Sequence, residues 1–403
     1  MDTINRVPIN RVPTNRVPIG RVTTDAEKRP RIAVVGGGIG GLVLAAMLHR
    51  QGIPATVYER DTGLDARAQG GSLDLHPGSG QRALAELGLA DAFRAEARPE
   101  GEALRILDPA GSTVGEHAPE PGSGTRPEID RGALRKLLMS GVPDSALRWG
   151  RHLTGTEELP AGGHRLLFAD GGHGDCDLLV GADGGRSRIR TLLTDARPVH
   201  LSAYLQLTIA DADRRQPHVA DFVGPGSLMA LGDNINLGAQ RSGDGSIRVS
   251  VTLRTDDGWI GRQGFGGAEW ARTVARLHGL FPGWAPELTG LIDACDPGSL
   301  MGRNIEALPV GTRWRSRPDV TLLGDAAHLM PPVGEGANQA MLDGILLARA
   351  IVENSDDPAA AVAAYEAEMF DRTAEIAEGS AQTERMGLAP DAAERLKSFF
   401  AQG

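Results

Sequence analysis

The sequence predicts an α/β fold with two interleaved domains and a C-terminal helical segment, and three observations support this prediction. Short apolar runs that end in glycine or aspartate turns occur in three distant places, at 32–36, 178–184 and 320–325. Such runs are typical of buried strands in a parallel sheet that is covered by helices. The stretch 201–302 instead alternates β-like runs with polar turns, which indicates an antiparallel sheet. The length of 403 residues suits two domains better than one core.

The first predicted strand leads into a glycine-rich turn. The apolar run 32–35 is followed by Gly36, Gly38 and Gly41 in a G-x-G-x-x-G pattern, and then by a helical stretch over 42–51. The first glycine permits a tight turn, the second lets a pyrophosphate approach the backbone, and the third lets the helix pack closely on the strand. The N-terminus of the helix then supplies N–H groups to the phosphates. This segment predicts a Rossmann-like dinucleotide-binding unit.

A second strand and an acidic residue complete this unit. The run 55–58 indicates a strand and ends at Glu59, 18 residues after Gly41. A carboxylate at this position can accept hydrogen bonds from a ribose 2′-OH, although a surface acid at the end of a strand would give the same pattern. No arrangement of His, Lys or Tyr typical of an NAD-dependent dehydrogenase stands out. Together with Arg60, the more distant segments favour FAD over NAD.

Two later segments have the composition of cofactor-binding turns. The run 176–184 indicates a buried strand that ends in an Asp-Gly turn, and the stretch 185–190 after it indicates a helix. The run 320–328 contains a Gly-Asp turn at Asp325, and an apolar-periodic helix is predicted over 339–352. The proline- and glycine-containing loop before that helix supplies three further candidate cofactor-binding residues: Pro332, Gly336 and Asn338.

The dinucleotide unit, the Asp-Gly turn and the Gly-Asp turn together resemble the class A flavoprotein monooxygenases, the p-hydroxybenzoate-hydroxylase-like group. The resemblance covers about 31–378. It implies a Rossmann-like, GR2-type FAD-binding domain interleaved with an antiparallel-sheet substrate domain. It implies that Asp325 contacts the ribityl chain or the pyrophosphate of FAD. It also implies that the loop through Pro332, Gly336 and Asn338 brings a helix N-terminus to the flavin, where N–H groups stabilise the reduced ring.

Inside that family, several short segments are similar to the tetracycline-inactivating flavin monooxygenases: 59–61, 67, 70–76, 78–81, 127–131 and 324–332. This narrower resemblance implies that Asp74 and Arg131 contact FAD and that Arg67 helps to receive NADPH or NADH. Each residue also has a plainer interpretation. Asp74 could instead cap a turn, and Arg67 could be a solvated loop charge. Arg131 could pair with Glu128 or Asp130.

The substrate region matches the narrower branch only in part. Gln206 occupies the position of a substrate-contacting glutamine, and we predict that it anchors the substrate. A substrate-contacting histidine of that branch has no counterpart, because the nearest alignment gives Leu-Gly-Asp at 231–233. The loop after Pro332 is one residue shorter than in that branch. The sequence therefore supports FAD chemistry on a polycyclic or phenolic small molecule better than it supports tetracycline as the substrate.

The family resemblance implies that FAD, NADPH or NADH, and O2 carry the oxygenation, so no catalytic side chain is predicted. His328 could act as a base, but it fits better as a structural part of the Gly-Asp turn. A flavin halogenase would carry a W-x-W-x-I-P segment, which the sequence around Trp314 does not supply. A ligand-binding protein without turnover is an alternative. Antibiotic inactivation and biosynthesis stay open, as do hydroxylation and Baeyer–Villiger oxidation.

The motifs also suggest how the chain is divided. The N-terminal leader repeats Asn-Arg-Val-Pro with a proline at every fifth position, which forbids a continuous helix and indicates disorder. The predicted division is a leader at 1–30, a discontinuous FAD-binding domain at 31–100, 126–200 and 303–355, a substrate domain at 101–125 and 201–302, and a helical segment at 356–403.

The bulk composition excludes several classes of partner. The formal net charge is −10 and aromatic residues make up 4%, which argues against binding to nucleic acid or to anionic membranes. No apolar run reaches the roughly 18 residues of a membrane span, and the N-terminus lacks the apolar region of a secretion signal. Two cysteines suggest neither a metal site nor a disulfide framework. We expect a monomeric, cytoplasmic protein whose partners are a small-molecule substrate and O2.

Overall fold

A computed structural model describes residues 30–66, 70–120, 124–265 and 269–400, with side chains as far as 397. The repeat-containing leader at 1–29 and Arg67 lie outside the described residues, so their predicted roles stay predictions. From Arg31 onward the chain forms one compact unit.

Groups of strands are separated by helices, and the described part of the chain ends in helices. The strands are β1 (Ile32–Val35), β2 (Ala55–Tyr58), β3 (Ser72–Asp74), β4 (Leu104–Leu107), β5 (Thr113–His117), β6 (Glu128–Asp130), β7 (Leu147–Arg148), β8 (Leu153–Glu158), β9 (His164–Phe168), β10 (His173–Cys176), β11 (Leu178–Gly181), β12 (Val199–Ile209), β13 (Ser227–Gly232), β14 (Ile235–Arg241), β15 (Ile247–Leu253), β16 (Met301–Ala307) and β17 (Val320–Leu322). The helices are α1 (Ile39–Arg50), α2 (Gly80–Leu87), α3 (Ala90–Glu96), α4 (Arg131–Met139), α5 (Ala212–Arg215), α6 (Pro217–Val223), α7 (Trp259–Gln263), α8 (Trp270–His278), α9 (Pro286–Asp293), α10 (Asp325–His328), α11 (Glu335–Glu353), α12 (Pro358–Gly387) and α13 (Ala392–Phe400).

A five-stranded parallel sheet crosses the first hydrophobic core. Its strand order is β17-β11-β1-β2-β7, and every neighbouring pair is parallel. In the central strand β1, Ile32 pairs with Leu178 on one side and with Ala55 on the other. All four residues of β1 are buried, as expected for a strand covered on both faces. The three apolar runs predicted as strands therefore lie side by side.

Helices α1 and α11 cross each other at a very short distance. A Cβ atom at Gly40 would lie 2.8 Å from the carbonyl oxygen of Ala340. A Cβ atom at Gly344 would lie 2.9 Å from the backbone nitrogen of Leu44. Because a side chain at either position would clash with backbone, the crossing requires glycine at both. The N-termini of the two helices are thereby held in one arrangement.

The second core lies against a seven-stranded sheet with the order β16-β12-β15-β14-β13-β4-β5. One face of this sheet buries aliphatic side chains such as Leu205, Leu207 and Val249. All neighbouring strands are antiparallel except β13 and β4, which are parallel. The predicted α/β fold with an added, largely antiparallel sheet is confirmed, and the parallel pair is a feature that the sequence did not indicate.

Two smaller sheets complete the architecture. Strands β8, β9 and β10 form a three-stranded antiparallel sheet. Strands β3 and β6 form a two-stranded ribbon, in which Ser72 pairs with Asp130 and Asp74 pairs with Glu128. The ribbon places Asp74 beside strand β6, which directly precedes Arg131. Asp74 and Arg131 are far apart in sequence.

The helix predicted at 185–190 is wrong. After the Asp-Gly turn the chain makes a turn at 185–186 and a bend at Arg188, and a single 3₁₀ turn covers Ile189–Leu192. The carboxylate of Asp183 accepts a hydrogen bond from the N–H of Arg188 at 2.8 Å. This contact closes the segment as a compact turn, because a short acidic side chain competes well for nearby backbone donors.

Other predicted bounds shift by a few residues. Helix α11 begins at Glu335, four residues before the predicted start. Strand β12 begins at Val199 and strand β16 ends at Ala307, so the seven-stranded sheet reaches beyond the predicted range 201–302. The division into two domains itself stays a prediction. Within the described part of the chain, no helix has the length and apolarity that a membrane crossing requires.

A buried carboxyl group fastens helix α12 to the parallel sheet. The side chain of Glu366 is fully buried. It accepts hydrogen bonds from Trp314 Nε1 at 2.8 Å, from Thr321 Oγ1 at 2.7 Å and from the hydroxyl of Ser316. Burial raises the pKa of Glu366, and the three donors oppose that change only in part. Since Thr321 belongs to the edge strand β17, the carboxyl group joins the C-terminal helix to the sheet.

We expect Glu366→Ala to lower the free energy of unfolding by about 3 kcal/mol, because three inward-facing donors lose their acceptor. Glu368→Ala, an exposed change on the same helix, should alter that free energy by less than about 0.5 kcal/mol. Urea denaturation measures both. A loss no larger for Glu366→Ala than for Glu368→Ala would show that this carboxyl group does not hold the helix.

Candidate active site

The glycine-rich turn has the geometry that the sequence predicts. Gly36 has a φ of +113°, and a Cβ atom there would lie 2.1 Å from the carbonyl oxygen of Ala182. A Cβ atom at Gly41 would lie 2.2 Å from the carbonyl oxygen of Gly36. At Gly38, which precedes helix α1, a Cβ atom would meet nothing within 4 Å. The N-terminus of α1 therefore opens to free space, where a phosphate can approach its N–H groups.

Glu59 lies at the end of β2, directly under this turn. Its carboxylate accepts a hydrogen bond from the N–H of Gly37 at 2.7 Å and another from the N–H of Asp61 at 2.8 Å. The residue is 7% exposed, whereas its neighbour Arg60 is exposed. Glu59 thus holds the glycine turn in place. Its predicted role as a ribose acceptor depends on the lone pairs that these two bonds leave free.

Arg135, on α4, is a residue of this region that the sequence reasoning missed. Its Nε donates to the carbonyl oxygen of Gly37 at 3.0 Å, and its other nitrogens lie 3.5 Å from Glu59 and 3.4 Å from Asp61. The guanidinium group also lies over the ring of Trp149. The available signal was its place one helical turn after Arg131. A buried guanidinium group needs several acceptors. Arg135 finds them in and beside the glycine-rich turn, and it thereby stabilises that turn.

The Gly-Asp turn is held by a second buried arginine, Arg190, which also was not predicted. Arg190 Nε donates to the carbonyl oxygen of Ala326 at 2.8 Å. Its Nη2 donates to the carbonyl oxygens of Gly185 at 2.8 Å and Asp325 at 2.9 Å. Arg190 thereby joins the Asp-Gly segment to the Gly-Asp segment. The side chain of Asp325 is exposed on this otherwise buried turn, so it can meet a ligand.

Two carboxylates flank the N-terminus of helix α11. Gly334, the residue before the helix, has a φ of +100°, and a Cβ atom there would lie 3.3 Å from Asp74 Oδ1. A Cβ atom at Gly336 would lie 3.8 Å from Asp325 Oδ1. Pro332 is exposed just before this helix. The structure therefore brings together Asp74, Asp325 and the loop at 332–336, and their predicted contact with FAD stays a prediction.

Asn338 connects this loop to the segment after β3. Its Oδ1 accepts hydrogen bonds from the N–H of His76 at 2.9 Å and from Ser79 Oγ at 3.2 Å. Its Nδ2 donates to the carbonyl oxygens of Asp74 at 2.9 Å and Gly334 at 3.1 Å. The side chain is fully buried, and protein groups already occupy its donors and acceptors. Asn338 therefore positions the loop, and its side chain has no free group to offer a cofactor.

His328 is paired inside the protein. Its Nε2 lies 2.6 Å from Asp343 Oδ2, which also accepts the N–H of Gly324 at 2.8 Å. The other oxygen of Asp343 accepts from Arg372 at 2.6 Å. Burial would raise the pKa of Asp343, but His328 and Arg372 outweigh it and leave the pKa below its ordinary value. This arrangement favours the structural interpretation of His328 over the catalytic one.

Arg131 begins helix α4 beside the ribbon of β3 and β6. Its N–H donates to the carbonyl oxygen of Gly71 at 3.1 Å, and its side chain is exposed. The alternative partners of Arg131, Glu128 and Asp130, both face Arg98, at 3.6 Å and 3.3 Å. The exposed guanidinium group of Arg131 is compatible with the predicted contact to FAD.

The second face of the seven-stranded sheet is polar. We define the polar sheet face by Tyr204, Gln206 and Thr208 of β12 together with Arg248 and Ser250 of β15. Gln206 pairs with Ser250, and Thr208 pairs with Arg248, so these side chains project from the same face. Gln206 Nε2 and Arg248 Nε are buried and have no hydrogen-bond partner. The predicted substrate residue Gln206 is therefore a buried donor that lacks an acceptor.

More polar atoms without partners extend this face toward helix α12. Ser202 precedes Gln206 by four residues on β12, and Asn236 lies on β14, on the other side of β15. Ser202 Oγ and Asn236 Oδ1 are buried without a hydrogen-bond partner. A Cβ atom at Gly387, the last residue of α12, would lie 3.6 Å from Asn236 Nδ2. Such a set of unsatisfied buried groups indicates a site for a polar ligand.

The two helix N-termini fit FAD. Open space at Gly38 lets a pyrophosphate reach the backbone of α1, and Glu59 lies beside that turn. The N-terminus of α11 lies next to Asp74 and Asp325, whose carboxylates can accept hydrogen bonds from hydroxyl groups. Donors at a helix N-terminus can also stabilise negative charge on a flavin ring. Among the described residues, no cluster of metal-binding side chains occurs.

Glu128 lies where the ribbon of β3 and β6 meets the seven-stranded sheet. Its Oε1 accepts a hydrogen bond from Gln240 Nε2 on β14 at 3.1 Å. Its Oε2 is buried without a hydrogen-bond partner, and the Arg98 guanidinium group is 3.6 Å away. Burial raises the pKa of Glu128 to about 7, although the Ser72 hydroxyl, Arg98 and Gln240 oppose this change.

The raised pKa of Glu128 predicts a pH dependence of stability. The pKa of Glu128 is about 7 in the folded chain, against an ordinary 4.5. The contribution of protonated Glu128 to the free energy of unfolding is therefore complete below pH 4.5, and it is lost as the pH rises through about 7. The loss is at most about 3 kcal/mol. Glu128→Gln should remove this pH dependence. The free energy of unfolding gained by the variant relative to the wild type should therefore be larger at about pH 8 than at about pH 5. Urea denaturation tests this, with the exposed Glu116→Gln as the control. Equal gains at both pH values would contradict the prediction.

Comparison with known proteins supports the interpretation of this region as an FAD-binding site. Residues 29–231 and 307–380 match the family model of the FAD-binding domain. The chain is 33% identical over 372 residues to 3-amino-4-hydroxybenzoate 2-monooxygenase PtmB3 of Streptomyces platensis, and the alignment covers 88% of each protein.

Solved structures show the same fold. The structure of Klebsiella pneumoniae HpxO with FAD and uric acid is similar with a TM-score of 0.75 and 24% identity, covering 92% of each chain. The tetracycline destructase Tet(51) is similar with a TM-score of 0.69 and 17% identity, covering 92% of this chain and 95% of that one. At these identities, the similarity to both structures is a similarity of fold alone. The match to the FAD-binding domain and the similarity to PtmB3 go further, and the chain belongs to the class A family of FAD-dependent monooxygenases.

Proposed function

We propose that this protein uses FAD, NADPH or NADH, and O2 to hydroxylate a small phenolic, enolic or other aromatic substrate. The observation that carries the proposal is the polar sheet face, where buried donors of Gln206 and Arg248 lack protein partners. Buried polar groups without partners cost free energy, so a polar ligand is expected against them. This face lies beside Gly71, at the start of the ribbon that leads to Asp74.

When bound, FAD would supply the redox chemistry by which NADPH or NADH and O2 oxygenate the substrate, with one oxygen atom entering the product and the other leaving as water. The protein's part is to bind and to orient. The N-terminus of α1 would bind the pyrophosphate, and Asp74 and Asp325 would accept hydrogen bonds from the remainder of the cofactor. The N–H groups at the start of α11 would stabilise negative charge on the flavin ring. No protein nucleophile or metal is required for these steps.

The polar sheet face orients the substrate. The Gln206 amide donates to a substrate oxygen and thereby fixes which ring carbon is presented for oxygenation. Tyr204 and Ser250, on either side of Gln206, border the same position. The five residues of this face are only partly exposed, which limits the access of water to the proposed substrate.

The substrate class follows from two different similarities. The relative from Streptomyces platensis is named for a reaction on an aminohydroxybenzoate, and its similarity over most of the chain favours a phenolic substrate of modest size. Tetracycline is a second candidate, because the segments 70–76 and 127–131 are similar to those of tetracycline-inactivating enzymes. Gln206 is compatible with both. Inactivation of an antibiotic and a step in biosynthesis use the same chemistry.

NADPH or NADH is proposed to dock briefly at the surface and leave, with Arg67 meeting its phosphates. We infer a cytoplasmic protein because Cys176 and Cys295 are both free thiols. Burial raises the pKa of the Cys176 thiol to about 12, so it is unreactive at neutral pH. A ligand-binding protein without turnover is the opposing hypothesis, and it predicts a yellow protein that never oxidises NADPH.

The purified protein is expected to be yellow and to oxidise NADPH or NADH faster when a substrate is present. We would follow NADPH and NADH absorbance with 3-amino-4-hydroxybenzoate, uric acid and tetracycline, and analyse the products by mass spectrometry. A product heavier by one oxygen atom identifies the substrate class. A colourless protein that cannot be loaded with FAD would overturn the proposal, and a yellow protein without turnover on any aromatic compound would favour the binding hypothesis.

Gln206→Ala is expected to raise KM for the substrate by about tenfold, because one buried hydrogen bond is lost. It should also increase the share of NADPH that is consumed without hydroxylated product. Flavin content should stay unchanged, since Gln206 lies on the sheet and not on the FAD-binding turns. The exposed Gln51→Ala serves as the control. An unchanged KM and unchanged coupling would show that Gln206 does not contact the substrate.

A further inference from the structure

Two exposed methionines lie in the same cross-strand row as Gln206. Among the described residues, Met229 and Met301 belong to the few large apolar side chains that are exposed, at 40% and 51%. On one side of Gln206, the row continues directly to Met301 of β16. On the other side, it runs through Ser250 and Gly238 to Met229 of β13. Residues paired across strands project from the same face, so the two methionines border the polar sheet face, one at each end of the row.

The surroundings of Met229 distinguish it from an ordinary exposed apolar residue, which by itself needs no explanation. Leu231 lies two residues further along β13 on the same face and is buried. It belongs to a small apolar cluster with Ala392 and Ala393 of helix α13. Helix α13 therefore covers the row that contains Leu231, while the neighbouring row leaves Met229 open to a ligand.

Gly238 leaves the middle of the row without a side chain. A Cβ atom at this position would lie 2.6 Å from Ser250 Oγ, so a larger residue would have to displace that hydroxyl group. The residues on the same face of β14 to either side, Asn236 and Gln240, have longer polar side chains. We define the methionine trough as Gly238 and Met229 with Asn236 and Gln240 at its sides. Its floor is open where Gly238 lies.

The row from Gln206 to Met229 is longer than one aromatic ring. The strand order β12-β15-β14-β13 puts three strand spacings between the two residues. Neighbouring strands lie about 4.8 Å apart, so Gln206 and Met229 are separated by about 14 Å. A single ring held by Gln206 would leave the methionine trough uncovered, whereas covering apolar surface is favourable. The flexible thioether of methionine also adapts to ligands of different shapes. The trough therefore suits an apolar group attached to the ring.

We propose that the substrate carries an apolar extension beyond the ring that Gln206 anchors, and that this extension crosses Gly238 and ends against Met229. The inference rests on the proposed function, in that it takes the polar sheet face as the substrate side of the site. Among the proposed substrate classes, it favours molecules longer than one ring. The extension is a hydrocarbon chain or a set of further rings, since both offer apolar surface of this length. Met229 is then a specificity-determining residue that distinguishes long substrates from short ones.

Binding to the flavin-loaded full-length protein tests the proposal. The probes are phenol, 4-heptylphenol and 2-hydroxyanthracene, which share one hydroxyl group and differ in their apolar part, each titrated by the change in flavin absorbance. Burying one methylene group tightens binding about fourfold, so burial of three or more in the trough should make 4-heptylphenol bind at least about fiftyfold more tightly than phenol. A comparable gain for 2-hydroxyanthracene would show that fused rings also fit, and a gain for either long probe supports the inference.

Two variants locate this gain in the methionine trough. Met229→Ser changes an exposed side chain and should lower the affinity ratio of 4-heptylphenol to phenol by at least about fivefold, because apolar contact at the end of the trough is lost. Gly238→Val fills the middle of the trough and should lower the same ratio. Val352→Ser changes an exposed apolar side chain at the end of α11 and should leave the ratio unchanged.

The inference would be overturned by an unchanged ratio in both Met229→Ser and Gly238→Val. It would also be overturned by a wild-type protein that binds neither long probe more tightly than phenol. Failure of the proposed function would be seen separately, because the probes would then bind with the expected dependence on length while none of them stimulates oxidation of NADPH or NADH.

Discussion

The close crossing of helices α1 and α11 is the constraint on which the site depends. Gly40 and Gly344 let the two backbones meet, and this contact sets the relative position of two helix N-termini. One N-terminus faces the space beside Gly38, and the other lies between Asp74 and Asp325. A long cofactor that spans both must find them at a fixed separation. A residue larger than glycine at Gly40 or Gly344 would shift one helix N-terminus relative to the other. The structure around each N-terminus would stay intact.

Buried arginines hold the turns between these helices. Arg135 fastens the glycine turn, Arg190 joins the two aspartate-containing turns, and Arg372 binds the acid that orients the Gly-Asp turn. Each guanidinium group reaches several acceptors at once, which a lysine ammonium cannot do in the same planar geometry. Not every donor is satisfied, because Arg372 Nε and, on the polar sheet face, Arg248 Nε are buried without a hydrogen-bond partner.

Local patterns in the sequence predicted the parallel sheet and the cofactor turns well. Runs such as 32–35 and 320–322 are apolar throughout, and a glycine must follow where backbone approaches backbone. Residues whose roles depend on distant partners could not be predicted. Arg190 and Asn338 look like ordinary polar residues until the chain brings 185 beside 325 and 74 beside 338. The wrong helix at 185–190 has a local cause instead, because the Asp183 carboxylate competes for the backbone donor of Arg188.

The position of Asn338 has a consequence for how the protein is made. It fastens the segment after β3 by bonds to Asp74 and His76, more than 250 residues earlier in the chain. Strand β17, which completes the edge of the parallel sheet, is also a late segment. During synthesis, the glycine turn emerges long before the residues that complete the cofactor site. A cofactor site that includes these late segments is complete only after most of the chain has left the ribosome.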